Sequence, residues 1–205
     1  GSLICSNGRL WLYLCHSTAN AMTDKLFLPE KGNYRNLIVF QKAECIYDIT
    51  YYFANKYYPG HDRTRDQMVQ AARSGCANIA EAAAASATSA ETEIKLTNVA
   101  RASLQELLMD YVWHLRHRQL KLWAPDDPRT QQVRRVSWHH NDTAFYMERI
   151  PLRSEEVVAN IAITLIHQED RMLKKLIEKL QTEFVENGGI KEAMYRARTG
   201  YRDRR

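Results

Sequence analysis

Apolar residues recur at helical spacing from Leu37 onward. Val39, Ala43, Ile46, Thr50, Phe53 and Tyr57 step by fours and threes, a mostly apolar heptad seam. Tyr47, Tyr51, Ala54 and Tyr58 run beside it, so this helix is expected to bury two faces, within a bundle or at a subunit contact. The pattern predicts a helix over 37–58, ended by Pro59-Gly60. A second helix is expected from Asp62–Thr64, with Thr64 and Gln67 at capping-box spacing and a seam of Met68, Ala72, Gly75, Ile79 and Ala82. Its many small residues would let a neighbouring helix approach closely. The stretch 82–90 reads either as an extension of this helix or as the turn after it. Thr88 and Glu91 repeat the capping box before a third seam, Leu96, Ala100, Leu104, Leu107, Tyr111 and Leu115.

Pro125, Pro128 and Pro151 then punctuate residues 121–153, a long connection with one short helix over 129–138 behind the Asp127-Pro128 start. Ser154, followed by Glu155 and Glu156, opens the fourth long helix. Its expected seam is Val158, Ile161, Leu165, Met172, Leu176, Leu180 and Phe184, with Leu173 and Ile177 alongside. Asn187-Gly188-Gly189 ends it, with Gly188 suited to a positive φ. A short basic helix over 191–198 follows. The expected fold class is all-α: an up-and-down antiparallel four-helix bundle over 37–188, with a long crossover (121–153) between helices 3 and 4 and a short C-terminal helix in a basic suffix, 189–205.

The first 21 residues do not share this pattern. Gly1-Ser2 resembles a cleaved-tag scar, and Met22 reads as a start, so 1–21 is expected to be a tag or upstream translation outside the folded unit. Arg9, the apolar run 10–15 and Ala19-Asn20-Ala21 form the competing leader-like pattern, with an apolar run shorter than the usual h-region. Residues 22–36 read as an N-terminal extension.

Composition narrows the class. Hydrophobic residues make up 45% of the 205 and charged residues 26%, ordinary globular usage. Eight glycines and five prolines favour long helices over a turn-rich sandwich. No apolar run approaches the roughly 18 residues of a membrane span, so no membrane association is expected. Cys5, Cys15, Cys45 and Cys76 form no CxxC pair, which argues against a disulfide framework or zinc ribbon and for a reducing cytoplasm.

The net charge of +5 is unevenly placed. Residues 114–153 hold eight basic and four acidic side chains, and 189–205 hold six and two. Residues 154–188 hold four basic and seven acidic ones. The candidate nucleic-acid contacts are therefore Arg129, Arg134, Arg135, Arg149 and Arg153 in the crossover, and Arg196, Arg198, Arg202, Arg204 and Arg205 in the suffix. Trp123, Trp138, Tyr146, Tyr195 and Tyr201 interleave with them, which allows stacking on bases. A solvated basic surface, or pairing with the acidic fourth helix of a neighbour, is the equally weighted alternative.

Catalytic chemistry is hard to find. There is no P-loop, Rossmann glycine fingerprint, GxSxG or HExxH. No glutamate has a histidine three residues on, which excludes a ferritin-type centre. His114, His117, His139, His140 and Asp142 could be gathered as ligands, but Arg116 and Arg118 would repel a cation there. No catalytic residue, metal or cofactor is expected.

Several segments resemble a known family. The run 67–81 (QMVQAARSGCANIAE) resembles the second-helix signature of the bacterial 23S rRNA intervening-sequence proteins. The runs 37–43 (LIVFQKA) and 99–107 (VARASLQEL) resemble the family's first-helix opening and third-helix motif. Ile166 to Glu169 (IHQE) and the ending FVENGG…MYRAR, 184–198, resemble a variant branch with a C-terminal suffix. The family-motif residues on this alignment are Asn78, Glu81, Arg101, His167 and Gln168. The resemblance implies a four-helix bundle that assembles into a ring, pentameric in related proteins, with no enzymatic activity. It also implies kinship with an accessory protein of diversity-generating retroelements that binds nucleic acid and partners a reverse transcriptase. Two departures stand out: Ala82 replaces the glycine that usually follows the glutamate, and Val69-Gln70 replaces a basic pair. The second shifts any nucleic-acid binding toward crossover and suffix. The function expected is that of a non-enzymatic homo-oligomer associated with RNA or DNA, or with a protein partner that processes them. The alternative is a structural scaffold with no nucleic-acid role.

Overall fold

Short polar side chains set where the helices begin. Asp62, Ser89, Asp127 and Asp142 each sit at a helix N-cap and accept a backbone N–H from the first turn, at Thr64, Thr92, Arg129 and Phe145 respectively. The computed structural model describes residues 34–202. The expectations for residues 1–21, for positions 22–33 of the N-terminal extension, and for Arg204 and Arg205 lie outside the described residues. Within them the helices are α1 (Ile38–Tyr57), α2 (Arg63–Ala85), α3 (Ala90–His117), α4 (Pro128–His139), α5 (Thr143–Met147), α6 (Glu155–Asn187) and α7 (Ile190–Arg202), with short 3-10 turns at Tyr34–Asn36 and Ile150–Leu152. No strand occurs among the described residues, and no described helix is long and apolar enough to cross a membrane.

α1 packs against α2 and α6, and α3 packs against the same two helices. Their shared core holds Ile46, Ile49 and Phe53 of α1, Met68 of α2, Leu104, Leu107 and Leu115 of α3, and Leu165, Ile166 and Leu173 of α6, all buried. Each such side chain stabilises the fold by about 1.5–3 kcal/mol relative to exposure. α2 and α3 approach closely at Gly75, where an added Cβ would lie 2.9 Å from Leu104 Cδ2. The small-residue run of α2 serves that approach. α2 also runs through Ala82 without a break, to Ala85, as its alanine at that position favours.

Four local expectations need correction. Asp62, not Thr64, caps α2, because its carboxylate reaches the Thr64 N–H at 2.8 Å. Ser89, one residue after Thr88, caps α3. Ser154 stands at the N-cap of α6, but its hydroxyl makes no cap bond. The seam of α6 is buried as expected at Val158, Leu165 and Leu180, with Leu173 alongside, but Ile161, Met172 and Leu176 are only half-buried, and Ala162 and Ile166 join the core instead. Phe184 is 40% and Val185 82% exposed. This C-terminal stretch of α6 keeps an apolar stripe with little covering it. Gly188 closes α6 at φ 71°, ψ −177°, a positive-φ conformation open only to glycine, though outside the left-handed helical well.

The crossover is more structured than a connection. α4 packs on α6, and α5 packs on α1. α7 reaches Arg202, past the expected end at 198, and buries none of its residues.

Candidate nucleic-acid interface

Three polar clamps hold the crossover to the bundle. Asn160 of α6 accepts the Trp123 N–H at 2.8 Å and donates to the Lys121 carbonyl at 2.9 Å. Gln168 accepts from the Ser137 hydroxyl at 2.8 Å and donates to the Arg134 carbonyl at 3.2 Å. Lys42 of α1, only 3% exposed, donates its ammonium to the Ser137 carbonyl at 2.8 Å. These bonds fix α4 along α6 and leave a groove of about 430 Å³ between α4, α5, the Ile150–Leu152 turn and α6.

The groove has an apolar floor and a basic rim. Val133 and Val136 of α4, Ile150, and Val157 and Ile161 of α6 form the floor. Arg129, Arg149 and Arg153 stand at the edge. Arg129 lies over the Trp123 ring, 4.4 Å from its centroid, and forks onto Asp127 at 3.1 and 2.8 Å. The hydrogen bonds from Arg129 pull the Asp127 carboxyl down to about 2. Glu156 is also held below the ordinary carboxylate range, first by the Trp123 indole N–H that it accepts at 3.1 Å. Arg149 lies 4.0 Å from the Phe145 centroid, and the His140 ring stacks on Phe145 at 3.7 Å and 7°. Two groups that close cannot share one face of a ring, so Phe145 is sandwiched between imidazole and guanidinium. Tyr146 supports this corner by donating to the His140 carbonyl at 3.1 Å.

Of the ten arginines expected to bind nucleic acid, the structure brings these three together. Arg134 reaches the Pro125 carbonyl at 3.0 Å instead, and Arg135 is exposed on α4. Arg196, Arg198 and Arg202 are exposed on α7, which does not line the groove. Arg196 donates to the Asn187 carbonyl and so ties α7 to the end of α6.

The family-motif residues take mostly structural positions. Asn78 donates back to the Ser74 carbonyl at 2.8 Å, and Glu81 is exposed. Arg101 pairs with Asp170 at 2.6 Å and so joins α3 to α6. His167 is exposed, with burial of part of its ring and nearby Arg171 lowering its pKa. Gln168 is the α4 clamp already described.

Two of the four histidines weighed as metal ligands are engaged elsewhere. His114 is hydrogen bonded to Tyr58 and Glu155, and His140 is stacked on Phe145. Among the described residues no group of three or more His, Cys, Asp or Glu side chains could hold a metal ion. Cys45 is buried and Cys76 half-buried, both as free thiols pushed up to about 12 by burial, which makes them poor nucleophiles.

The groove floor was not visible as a site in the sequence. Val133 and Val136 lie three apart on a short helix, which signals an apolar face but not what that face meets. No family model, curated protein or solved structure matches the chain.

Proposed function

We propose that this chain is a non-enzymatic, homo-oligomeric helical-bundle protein that binds nucleic acid or assists a partner that processes it. The observation that carries the reading is the convergence of Arg129, Arg149 and Arg153 on one groove. Arg129 pairs there with Asp127 and Glu156, and Arg149 with Glu148, which leaves Arg153 as the uncompensated guanidinium, a group that suits phosphate by its planar fork. The Arg153 side chain makes no hydrogen bond or ion pair among the described residues that would compete with a ligand.

The finer architecture we propose is an up-and-down antiparallel four-helix bundle of α1, α2, α3 and α6, akin to the 23S rRNA intervening-sequence proteins. In its support, Tyr58 at the end of α1, His114 near the end of α3 and Glu155 at the start of α6 meet in one cluster. Such a meeting of ends is what α1 and α3 running one way and α6 the other would give. Assembly into a ring, pentameric as in the resembled family, and a cytoplasmic setting belong to the same proposal. Tyr51, Met109 and Trp113, exposed by 54%, 45% and 43%, favour self-association.

The second reading, a protein-docking scaffold without nucleic-acid binding, is favoured by Leu152 and Trp138, which are 82% and 76% exposed. Salt titration of RNA binding separates the two. Phosphate contacts give an affinity that falls linearly in log–log coordinates as salt rises. Absence of binding at low salt would leave the scaffold reading.

A further inference from the structure

We infer that the groove between α4, α5 and α6 takes single-stranded nucleic acid, seating a base over its apolar floor while Arg153 and Arg149 hold flanking phosphates. This rests on the nucleic-acid reading above and adds the form of the ligand to it. The argument comes from the combination of floor and rim. A duplex presents phosphates to a protein surface and keeps its base faces stacked inside, so it has nothing to bury against Val133, Val136 and Ile161. A single strand has both parts: charged phosphates, and base faces that lose little by leaving solvent.

The rim is also built for stacking. The guanidinium of Arg129 rests on Trp123, and that of Arg149 rests on Phe145. Each ring holds its guanidinium close, and a guanidinium in place beside an aromatic ring is a further group on which a base can stack. The side chains are thus ordered before the ligand arrives, which lowers the entropy lost on binding. The volume of about 430 Å³ lies within the range of small-ligand sites. Asp127 and Glu156 hold Arg129 in place, and Arg149 pairs with Glu148 at its exposed edge, whereas Arg153 remains for a phosphate.

The experiment compares three labelled probes on the full chain by fluorescence anisotropy at low salt: a short single strand, a blunt duplex of the same length, and a single strand with abasic sugars throughout. The expected result is tighter binding of the base-bearing strand than of either other probe, by about 5- to 150-fold, the range for stacking one base. Val136→Trp, which fills the groove without changing charge, removes that preference and leaves duplex binding as it was. Equal binding of the base-bearing and abasic strands overturns the inference while the nucleic-acid reading stands. Binding of none of the three overturns both. The abasic comparison uses the unaltered protein, so it decides the matter even where the Val136→Trp substitution disturbs folding.

Discussion

The imidazole of His114 bridges Tyr58 and Glu155, with Nδ1 2.7 Å from the Tyr58 hydroxyl and Nε2 2.7 Å from Glu155 Oε1. In the neutral ring Nε2–H donates to the carboxylate and Nδ1 accepts the phenolic proton, so all three groups are satisfied. The cluster ties the ends of α1 and α3 to the start of α6. Phe53 packs edge-on against the ring at 4.8 Å, and burial is the main cause holding the His114 pKa below its usual 6.5. A depressed histidine means that the unfolded chain takes up a proton before the folded one does. Stability therefore falls as pH drops through and below about 6.5. Thermal unfolding followed between pH 8 and 5 should show this decline. His114→Ala should cost about 1–3 kcal/mol at pH 8, for the buried groups left unpaired, and make the decline shallower. An unchanged pH profile in that variant would contradict the assignment.

A second buried relationship concerns charge. Glu169 is fully buried, neither of its carboxylate oxygens has a hydrogen-bond partner among the described residues, and burial raises its pKa well above the ordinary value. Lys42 lies close enough to lower that pKa, yet its ammonium goes to the Ser137 carbonyl. With a raised pKa, the stability Glu169 contributes is present below about 4.5 and is lost as pH rises through the folded value. Glu169→Gln should thus stabilise the protein at neutral pH relative to the parent. Lys42→Ala alone should destabilise by about 1–3 kcal/mol, for the buried Ser137 carbonyl left without its donor, whereas the paired Lys42→Met, Glu169→Leu variant should be less destabilised, because it also removes the unpartnered carboxylate. Chemical denaturation of the four proteins compares them. A paired variant as unstable as the Lys42 single variant would refute this account.

Gly75 faces Leu104 across the α2–α3 contact. A Cβ there meets Leu104 Cδ2 at 2.9 Å and Cγ at 3.0 Å. Alanine favours a helix by about 1 kcal/mol over glycine, but overpacking costs about 1–3 kcal/mol. Gly75→Ala should therefore destabilise on balance. In the presence of Leu104→Ala, which opens space, it should become neutral or stabilising. Denaturant midpoints that add independently would show that the two positions do not compete for the same volume.

These particulars also mark what a sequence can carry. Asp127-Pro128 announced a helix start because the cap and the proline each act within one turn. The caps at Asp62 and Ser89 were shadowed by neighbouring Thr64 and Thr88, where the wrong residue had equally good spacing. The seams of α1 to α3 were legible because buried positions repeat regularly along them. That of α6 was legible at Val158, Leu165 and Leu180 but misread toward its end, because its apolar stripe continues to Phe184, beyond the part its neighbours cover. Lys42 and Glu169 were invisible, since charged residues are almost never buried unless paired. The groove joins residues from 123 to 161 through contacts that Asn160 and Gln168 dictate, and no local pattern encodes such a meeting. Its arginines were legible as charge, while the three that converge were not separable from the rest.

The suffix offers a negative prediction. α7 buries none of its residues, so truncation after Gly189 should leave the unfolding free energy within about 0.5 kcal/mol of the parent, as for most surface changes. Circular dichroism melts read this directly. A fall of several degrees, or loss of an oligomer on light scattering, would mean that α7 docks on a second copy.

The central claim is that the crossover groove neutralises phosphates, and the salt dependence of binding tests it most directly. Two phosphate contacts on a single strand, at Arg149 and Arg153, should give a log–log slope of about −1.4, at about 0.7 for each. The double variant Arg149→Gln, Arg153→Gln should flatten that slope by about 1.4, with helicity unchanged. A parent protein that does not bind a single strand at low salt, or a double variant whose slope equals the parent's, would contradict the account.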